Sequence, residues 1–177
     1  MTKMVQKKVY LSLGTNLGDK LYNLTRAISD LSKLPGTRVI SISSVYETLP
    51  WGISGQPGFL NQAAAIETAF EPISMLNALR DIEIKMGRQS REKWGPREID
   101  IDILLFGDLI IASEQLTVPH PFLRKRLFVL VPLQEIEPDL VFPEDGASIE
   151  EVLNSVSPRE NNEMIKKMAP PADTPNH

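Results

Sequence analysis

Apolar and polar positions alternate along the chain with the two periods that are typical of strands and of helices. Short stretches rich in apolar and β-branched residues predict four strands, over 8–13, 37–47, 59–68 and 99–106. Apolar residues spaced three and four apart predict helices over 20–33, 72–86 and 121–131. A capping box that starts at Ser148 predicts a last short helix.

The order of these elements is strand, helix, strand, strand, helix, strand, which is typical of ferredoxin-like folds. We therefore predict an α+β fold with a ferredoxin-like βαββαβ core, an antiparallel-rich sheet with helices packed on one face, and C-terminal helical additions. The length suits a single catalytic domain, which we place at residues 1–156. The remaining residues, 157–177, include Ala-Pro-Pro and predict a disordered tail.

Composition narrows the class of protein. The chain has 177 residues and no cysteine, which excludes disulfides, thiol catalysis and cysteine-ligated zinc. We expect a cytoplasmic protein, because neither a membrane-spanning stretch nor a signal peptide is apparent. The net charge of −4 argues against nucleic-acid and membrane partners. Basic clusters at 88–97 and 124–126 favour a small polyanionic ligand, although two solvated loops would carry the same charges.

Asp100 and Asp102 are the sharpest chemical feature of the sequence. They lie on the predicted strand 99–106, where alternate side chains share a face, so their Cα atoms would be about 6.6 Å apart. Carboxylates this close repel each other, and Mg²⁺ bound together with phosphate oxygens would offset that repulsion. A solvated strand face would carry the same two residues, so the pair indicates a metal site only in combination with its surroundings.

Basic side chains surround this pair in the sequence. Arg88, Arg91 and Arg97 precede the strand, and guanidinium groups suit phosphate oxygens. His120 stands between two prolines and is followed by Arg126, which favours a histidine that donates a hydrogen bond to a phosphate. The chain contains no P-loop motif, which excludes that mode of triphosphate binding.

Two aromatic residues and one amide side chain are candidates for binding a flat heterocycle. Phe59 and Phe128 could stack on the two sides of a flat heterocycle, while Asn61 would offer a donor and an acceptor to the ring edge. Packing in the apolar core would explain the same aromatic residues.

Taken in order, these pieces resemble the family of 6-hydroxymethyl-7,8-dihydropterin pyrophosphokinases of folate biosynthesis. The resemblance covers about residues 8–145 and is most specific at 94–102 and in the Val-Pro-His at 118–120. The matching segments are 14–18, 44–48, 56–61, 87–88, 94–104 and 116–121, with Arg126 and Phe128.

The resemblance implies a reaction as well as a fold. Pyrophosphate would pass from ATP, the co-substrate, to the hydroxymethyl oxygen of 6-hydroxymethyl-7,8-dihydropterin, with release of AMP. Two Mg²⁺ ions and an arginine-bearing closing loop would position the reactants. A functional association with the next enzyme of the folate pathway is also implied.

The same resemblance assigns roles to individual residues. The implied catalytic residues are Arg88, Arg91, Arg97, Asp100 and Asp102, of which the two aspartates would bind the metal ions. The implied ATP-binding residues are Glu83, Arg88, Trp94, Arg97, Ile103, His120 and Arg126. The implied pterin-binding residues are Thr48, Trp51, Gly52, Phe59, Asn61, Asp100 and Phe128.

Two positions depart from the family pattern. Ser90 stands where many members carry a second arginine, so Arg91 would have to replace it, and Phe122 stands where a basic residue is common.

Two other functions stay open. Another metal-dependent nucleotidyl or phosphoryl transferase would use the same carboxylates without a pterin pocket. A ferredoxin-like nucleic-acid-binding module would need a basic sheet face, which the acidic balance opposes.

Overall fold

A computed structural model describes residues 4–48, 58–87, 98–156 and 165–169. The strands are β1 (Lys7–Thr15), β2 (Thr37–Ile42), β3 (Tyr46–Thr48), β4 (Phe59–Thr68), β5 (Asp100–Phe106), β6 (Ile111–Ala112), β7 (Thr117–Val118) and β8 (Lys166–Lys167). The helices are α1 (Lys20–Ser32), α2 (Pro72–Lys85), α3 (Leu127–Ile136) and α4 (Ile149–Ser155), with a 3-10 turn at Leu123–Lys125. None of the described helices combines the length and the apolar character needed to cross a membrane.

Within the described residues, six strands form one antiparallel sheet. The order is β5-β1-β4-β3-β8, and β2 pairs with the second half of β4. β2 and β3 divide one side of β4 between them, because β3 lies opposite residues 59–61 and β2 lies opposite residues 64–68. β6 and β7 form a separate hairpin. The α+β fold with an antiparallel sheet is thereby confirmed.

Helices cover both faces of this sheet. On the first face α1 and α2 enclose a core whose buried side chains include Leu11, Leu13, Leu24 and Leu79. On the second face α3 and α4 enclose a core whose buried side chains include Leu104, Leu130, Leu133 and Ile149. The prediction of helices on one face holds for α1 and α2 of the βαββαβ core, whereas the C-terminal helices α3 and α4 lie on the other face and bury the alternate positions of the same strands.

The predicted strand 37–47 is divided into β2 and β3 at Ser43. The Ser43 hydroxyl accepts the Ala63 N–H at 2.9 Å, and the Ser43 carbonyl accepts the side-chain amide of Gln62 at 2.8 Å. These bonds take the place of regular strand pairing, and β3 resumes on its own with its residues opposite 59–61.

The predicted helix 121–131 begins and ends later in the structure. Arg126 has an extended backbone and forms the N-cap of α3, where its carbonyl accepts the N–H groups of Val129 and Leu130. α3 then runs through Pro132 and ends at Ile136. The 3-10 turn, Leu123–Lys125, lies between Pro121 and this N-cap.

The C-terminal part of the described chain contains one confirmed and one corrected prediction. The Ser148 hydroxyl accepts the Glu151 N–H at 3.1 Å and the Glu151 carboxylate accepts the Ser148 N–H at 2.8 Å, so the capping box is present. The disordered tail predicted over 157–177 does not hold for residues 165–169, which contain β8 and pair with β3.

Candidate active site

A row of candidate site positions crosses the sheet on the face that α3 covers. Asp100 on β5 lies opposite Gly14 on β1, Gly14 lies opposite Asn61 on β4, and Asn61 lies opposite Tyr46 on β3. Residues directly opposite each other share a face, so these positions form one row across four strands. Thr48 lies two residues after Tyr46 and faces the same way. The row unites positions from four separate parts of the sequence.

Asp100 and Asp102 share this face, as predicted. Ile101 and Ile103 point the other way, into the core beneath α1 and α2. Asp100 is half-buried and Asp102 is exposed, so solvent and ligands can reach the pair. The described residues contain no group of three or more histidine, aspartate or glutamate side chains that could hold a metal by themselves. Mg²⁺ commonly takes one or two carboxylates together with substrate phosphates, so two aspartates on one accessible face fit such an ion.

Glu83 accepts a hydrogen bond from the backbone of β5. This α2 residue is 5% exposed, and its carboxylate accepts the N–H of Ile101 at 2.7 Å. β5 is the edge strand of the sheet, so Glu83 satisfies a strand N–H that lies between the two aspartates in sequence. The sequence did not predict this contact, and the ATP-binding role of Glu83 stays a prediction.

Asn61 is held in place by β3 and β1. It is 3% exposed, and its Nδ2 donates to the Thr48 hydroxyl at 2.8 Å. A Cβ added at Gly14 would lie 3.3 Å from Asn61 Oδ1 and 3.9 Å from the ring of Phe59. Gly14 therefore leaves space beside the predicted pterin reader. The sequence placed Gly14 just beyond the predicted strand 8–13 and gave no sign of its contact with Asn61, because the strand pairing that brings the two together is long-range.

His120 is anchored through its backbone and its ring. Its N–H donates to the Leu104 carbonyl of β5 at 2.9 Å, and its Nδ1 accepts the N–H of Phe122 at 3.1 Å. Burial, with a smaller contribution from the charge of Arg126, lowers the pKa of His120 to about 4. The ring is therefore neutral near pH 7, and because Nδ1 accepts a bond, the proton lies on Nε2, where it can be donated.

Arg126 lies between two aromatic rings. Its guanidinium carbon is 4.7 Å from the ring centre of Phe122 and 5.6 Å from that of Phe128. The ring of Phe122 also lies 6.0 Å from that of His120. Phe122 stands where a basic residue is common in the family, and its ring contacts Arg126. Its spacing of four residues before Arg126 was the available signal in the sequence.

Arg124 has a different role from Arg126 in the same basic cluster. Its guanidinium pairs with Asp145 at 2.9 Å and lies 5.0 Å from the ring centre of Phe142. These contacts fix the 3-10 turn against the segment before α4. Arg124 of the basic cluster at 124–126 is therefore paired with an acidic side chain of the protein itself.

The remaining predicted residues fall into three groups. Ile103 is 3% exposed and its side chain is in the core, so a nucleotide could touch only its backbone. The stacking of Phe59 and Phe128 on a pterin stays a prediction. Six predicted residues lie outside the described residues: Trp51, Gly52, Arg88, Arg91, Trp94 and Arg97.

Comparison with known proteins decides the family. The family model described as 7,8-dihydro-6-hydroxymethylpterin-pyrophosphokinase (HPPK) matches residues 10–138. The chain belongs to the HPPK family. The expected class of enzyme, an ATP-dependent pyrophosphokinase of folate synthesis, is thereby confirmed.

Relatives over nearly the whole domain support this membership. A 2-amino-4-hydroxy-6-hydroxymethyldihydropteridine pyrophosphokinase of Methylorubrum extorquens is 44% identical over 151 residues, which are 85% of this chain and 94% of that one. The protein of the same name from Pseudomonas aeruginosa is 41% identical over 150 residues, which are 85% of this chain and 91% of that one.

Solved structures agree with the fold. An HPPK-DHPS of Plasmodium falciparum superposes with a TM-score of 0.69 at 17% identity, over 86% of this chain and 46% of that longer one. At this identity the likeness supports the fold alone. The HPPK fold is therefore supported independently of the sequence matches.

Proposed function

We propose that the chain transfers pyrophosphate from ATP to the hydroxymethyl oxygen of 6-hydroxymethyl-7,8-dihydropterin and releases AMP. Family membership supports this reaction. One structural observation carries it: the half-buried Asp100 and the buried Asn61 belong to one cross-strand row, with only Gly14 between them. A group that can hold a phosphate-bound metal thus neighbours a group that can read a heterocycle.

On the pterin side, Asn61 reads the ring edge. Its bond to Thr48 fixes the direction of the amide, and Gly14 leaves the space that the amide oxygen occupies. Phe59 and Phe128, both half-buried, supply the two stacking faces. The other residues that we assign to the pterin are Trp51, Gly52 and Asp100.

On the phosphate side, His120 donates from Nε2 and Arg126 supplies positive charge. The two rings that flank Arg126 limit the freedom of its side chain, which lowers the ordering cost of binding a phosphate. The arginines of the 88–97 segment complete the cationic surroundings: Arg88, Arg91 and Arg97. The remaining residues that we assign to ATP are Glu83, Trp94 and Ile103.

Asp100 and Asp102 would hold two Mg²⁺ ions in this proposal. Bound Mg²⁺ supplies neutralisation of phosphate charge and lowers the pKa of a coordinated hydroxyl. The residues of the chain then bring the pterin oxygen in line with the β-phosphorus, since phosphoryl transfer depends mainly on positioning and charge stabilisation. The pterin oxygen bonds to that phosphorus, the bond to the bridging oxygen of the AMP group breaks, and the hydroxyl proton passes to solvent.

Three finer expectations join the proposal. The ferredoxin-like topology is supported by the order β5-β1-β4-β2 together with α1 and α2 as the two crossovers. An association with the next folate enzyme is supported by relatives such as HPPK-DHPS and the folic acid synthesis protein fol1 of Schizosaccharomyces pombe, of which this chain spans 20%. We also expect a cytoplasmic location, where ATP is available.

Product analysis tests the reaction. Protein, ATP and Mg²⁺ are incubated with 6-hydroxymethyl-7,8-dihydropterin, or with the 6-methyl compound that lacks the accepting oxygen, and nucleotides are separated by chromatography. We expect AMP to form only with the hydroxymethyl compound. ADP as the product, or AMP formed equally with both compounds, would refute the proposal and favour another phosphoryl or nucleotidyl transferase.

A further inference from the structure

β8 comes from far along the chain and lies beside β3 at the edge of the sheet. Lys166 and Lys167 pair with β3, and the N–H of Met168 donates to the carbonyl of Val45 at 2.8 Å. The family match ends at residue 138. β8 is therefore an addition to the part of the chain that defines the family.

β3 is a strand that benefits from a second partner. It has only three residues, and without β8 it would pair on one side alone, with residues 59–61 of β4. Short edge strands are weakly held. The last residue of β3 is Thr48, whose hydroxyl accepts the bond from Asn61 at the proposed pterin site. The position of β3 thus determines the position of a site contact.

Side chains of β8 and of the residue after it make contacts on both faces of the sheet. Met168 packs against the core of the α1 side and borders a shallow depression of about 300 Å³ with Leu60 and Glu47. Lys167 pairs with the Glu135 carboxylate of α3 at 3.1 Å. These contacts offset the entropy lost when residues 165–169 become ordered.

Glu135 joins β8, β3 and α3 at one point. Besides Lys167 it accepts the hydroxyl of Tyr46 at 3.0 Å and the N–H of Ser44. Burial, and then the bond to Glu135, raises the pKa of Tyr46 to about 12, so this hydroxyl keeps its proton and acts as a donor. α3 also carries Phe128, so the same junction links β8 to a second residue of the proposed pterin site.

We propose that β8 is a positioning strand for the pterin side of the active site. It holds β3 in register, so that Thr48 keeps Asn61 in the orientation that reads the pterin edge. The inference rests on the proposed function. It follows that loss of β8 weakens the binding of pterin and spares the binding of nucleotide, which uses β5 and the His120 segment.

Proline substitutions test this division. Met168→Pro removes the N–H that donates to Val45, whereas Ala169→Pro changes the next, exposed residue and serves as the matched control. Lys167→Glu places like charge beside Glu135 and loosens β8 without changing the backbone, in case the first variant fails to fold.

Calorimetry on the full-length variants measures the affinity for 6-hydroxymethyl-7,8-dihydropterin with Mg²⁺ and a non-hydrolysable ATP analogue, and the affinity for the analogue alone. We expect Met168→Pro and Lys167→Glu to lose about tenfold in pterin affinity and less than about twofold in analogue affinity. The Ala169→Pro control should match the unaltered chain.

Two results would overturn the positioning role. Folded variants without the β8 contacts that bind pterin as tightly as the unaltered chain would refute it. So would equal losses of pterin and analogue binding, which would indicate general loosening. An unaltered chain that binds no pterin would instead refute the proposed function, and this inference with it.

Discussion

Individual side chains of the proposed site are oriented by neighbours within the protein. Thr48 directs the amide of Asn61, the N–H of Phe122 sets the tautomer of His120, and two rings flank Arg126. Groups that are oriented in advance lose less entropy on binding, so their interactions contribute more to the transition state. Changes to these residues should therefore alter function more than stability.

Asp102 provides a direct test of the metal role. Asp102→Asn keeps the shape of an exposed side chain but removes a charge, so we expect activity to fall by at least about a hundredfold. The free energy of unfolding should change by less than about 0.5 kcal/mol, as is usual at exposed positions. Asp108→Asn, at the exposed turn after β5, is the control. Activity of Asp102→Asn near that of the control, at any Mg²⁺ concentration, would exclude the role.

The pKa of His120 predicts a pH dependence of stability. The pKa of about 4 in the folded chain lies below the ordinary value of 6.5, so between these values the unfolded chain binds more protons. Stability from this residue is therefore complete above about pH 6.5 and is lost as the pH falls towards 4.

Melting temperatures between pH 7 and pH 4 test this expectation. His120→Asn keeps an acceptor for the Phe122 N–H but does not titrate, so its melting temperature should fall less steeply than that of the unaltered chain. His177→Asn, which changes the other histidine, should follow the unaltered chain. Identical slopes for all three proteins would show that His120 is not buried in the neutral form.

At the scale of elements, the outer edge of β5 is held by contacts from outside the main sheet, with Glu83 and with the backbone of His120. Among the described strands of the main sheet, β5 carries both aspartates and pairs with β1 alone, and Glu83 of α2 satisfies the Ile101 N–H. An edge strand with an unsatisfied buried N–H would be less stable and less well positioned.

Substitution of Glu83 measures that support. Glu83→Leu leaves the Ile101 N–H without this acceptor and should destabilise the chain by about 1–3 kcal/mol in urea unfolding. Glu83→Gln retains an oxygen acceptor and should recover most of that loss. If both variants were equally destabilised, the carboxylate charge, and not the bond to Ile101, would be what supports β5.

Elements that follow from local pattern were predictable from the sequence, and those that depend on distant contacts were not. β4 and α1 match their predicted ranges to within a residue, because α1 has a regular helical apolar period and β4 is a short, mostly apolar stretch. The break at Ser43 depends on bonds to Gln62 and Ala63, and β8 depends on β3, so neither has a local signal. The start of α3 was misplaced because Pro121 indicated a helix start that the 3-10 turn delays.

The whole molecule places chemistry on one face of a sheet whose other face is closed by α1 and α2. The aspartate pair and its common face could be predicted from strand alternation, and the family from motifs in 94–104 and 116–121. The contacts of Asn61 with Thr48 and Gly14 could not be predicted, because they arise only when β1, β3 and β4 pair. The shape of the proposed pterin site therefore depends on the pairing of these three strands.

The most direct test of the central claim is a ³¹P NMR time course of the complete reaction with ATP, Mg²⁺ and 6-hydroxymethyl-7,8-dihydropterin. We predict that AMP and a pterin-linked diphosphate appear at equal rates as ATP disappears, with neither ADP nor free pyrophosphate formed in the same step. A pterin monophosphate with ADP, or free pyrophosphate with an unmodified pterin, would contradict the claim that this sheet face catalyses pyrophosphate transfer.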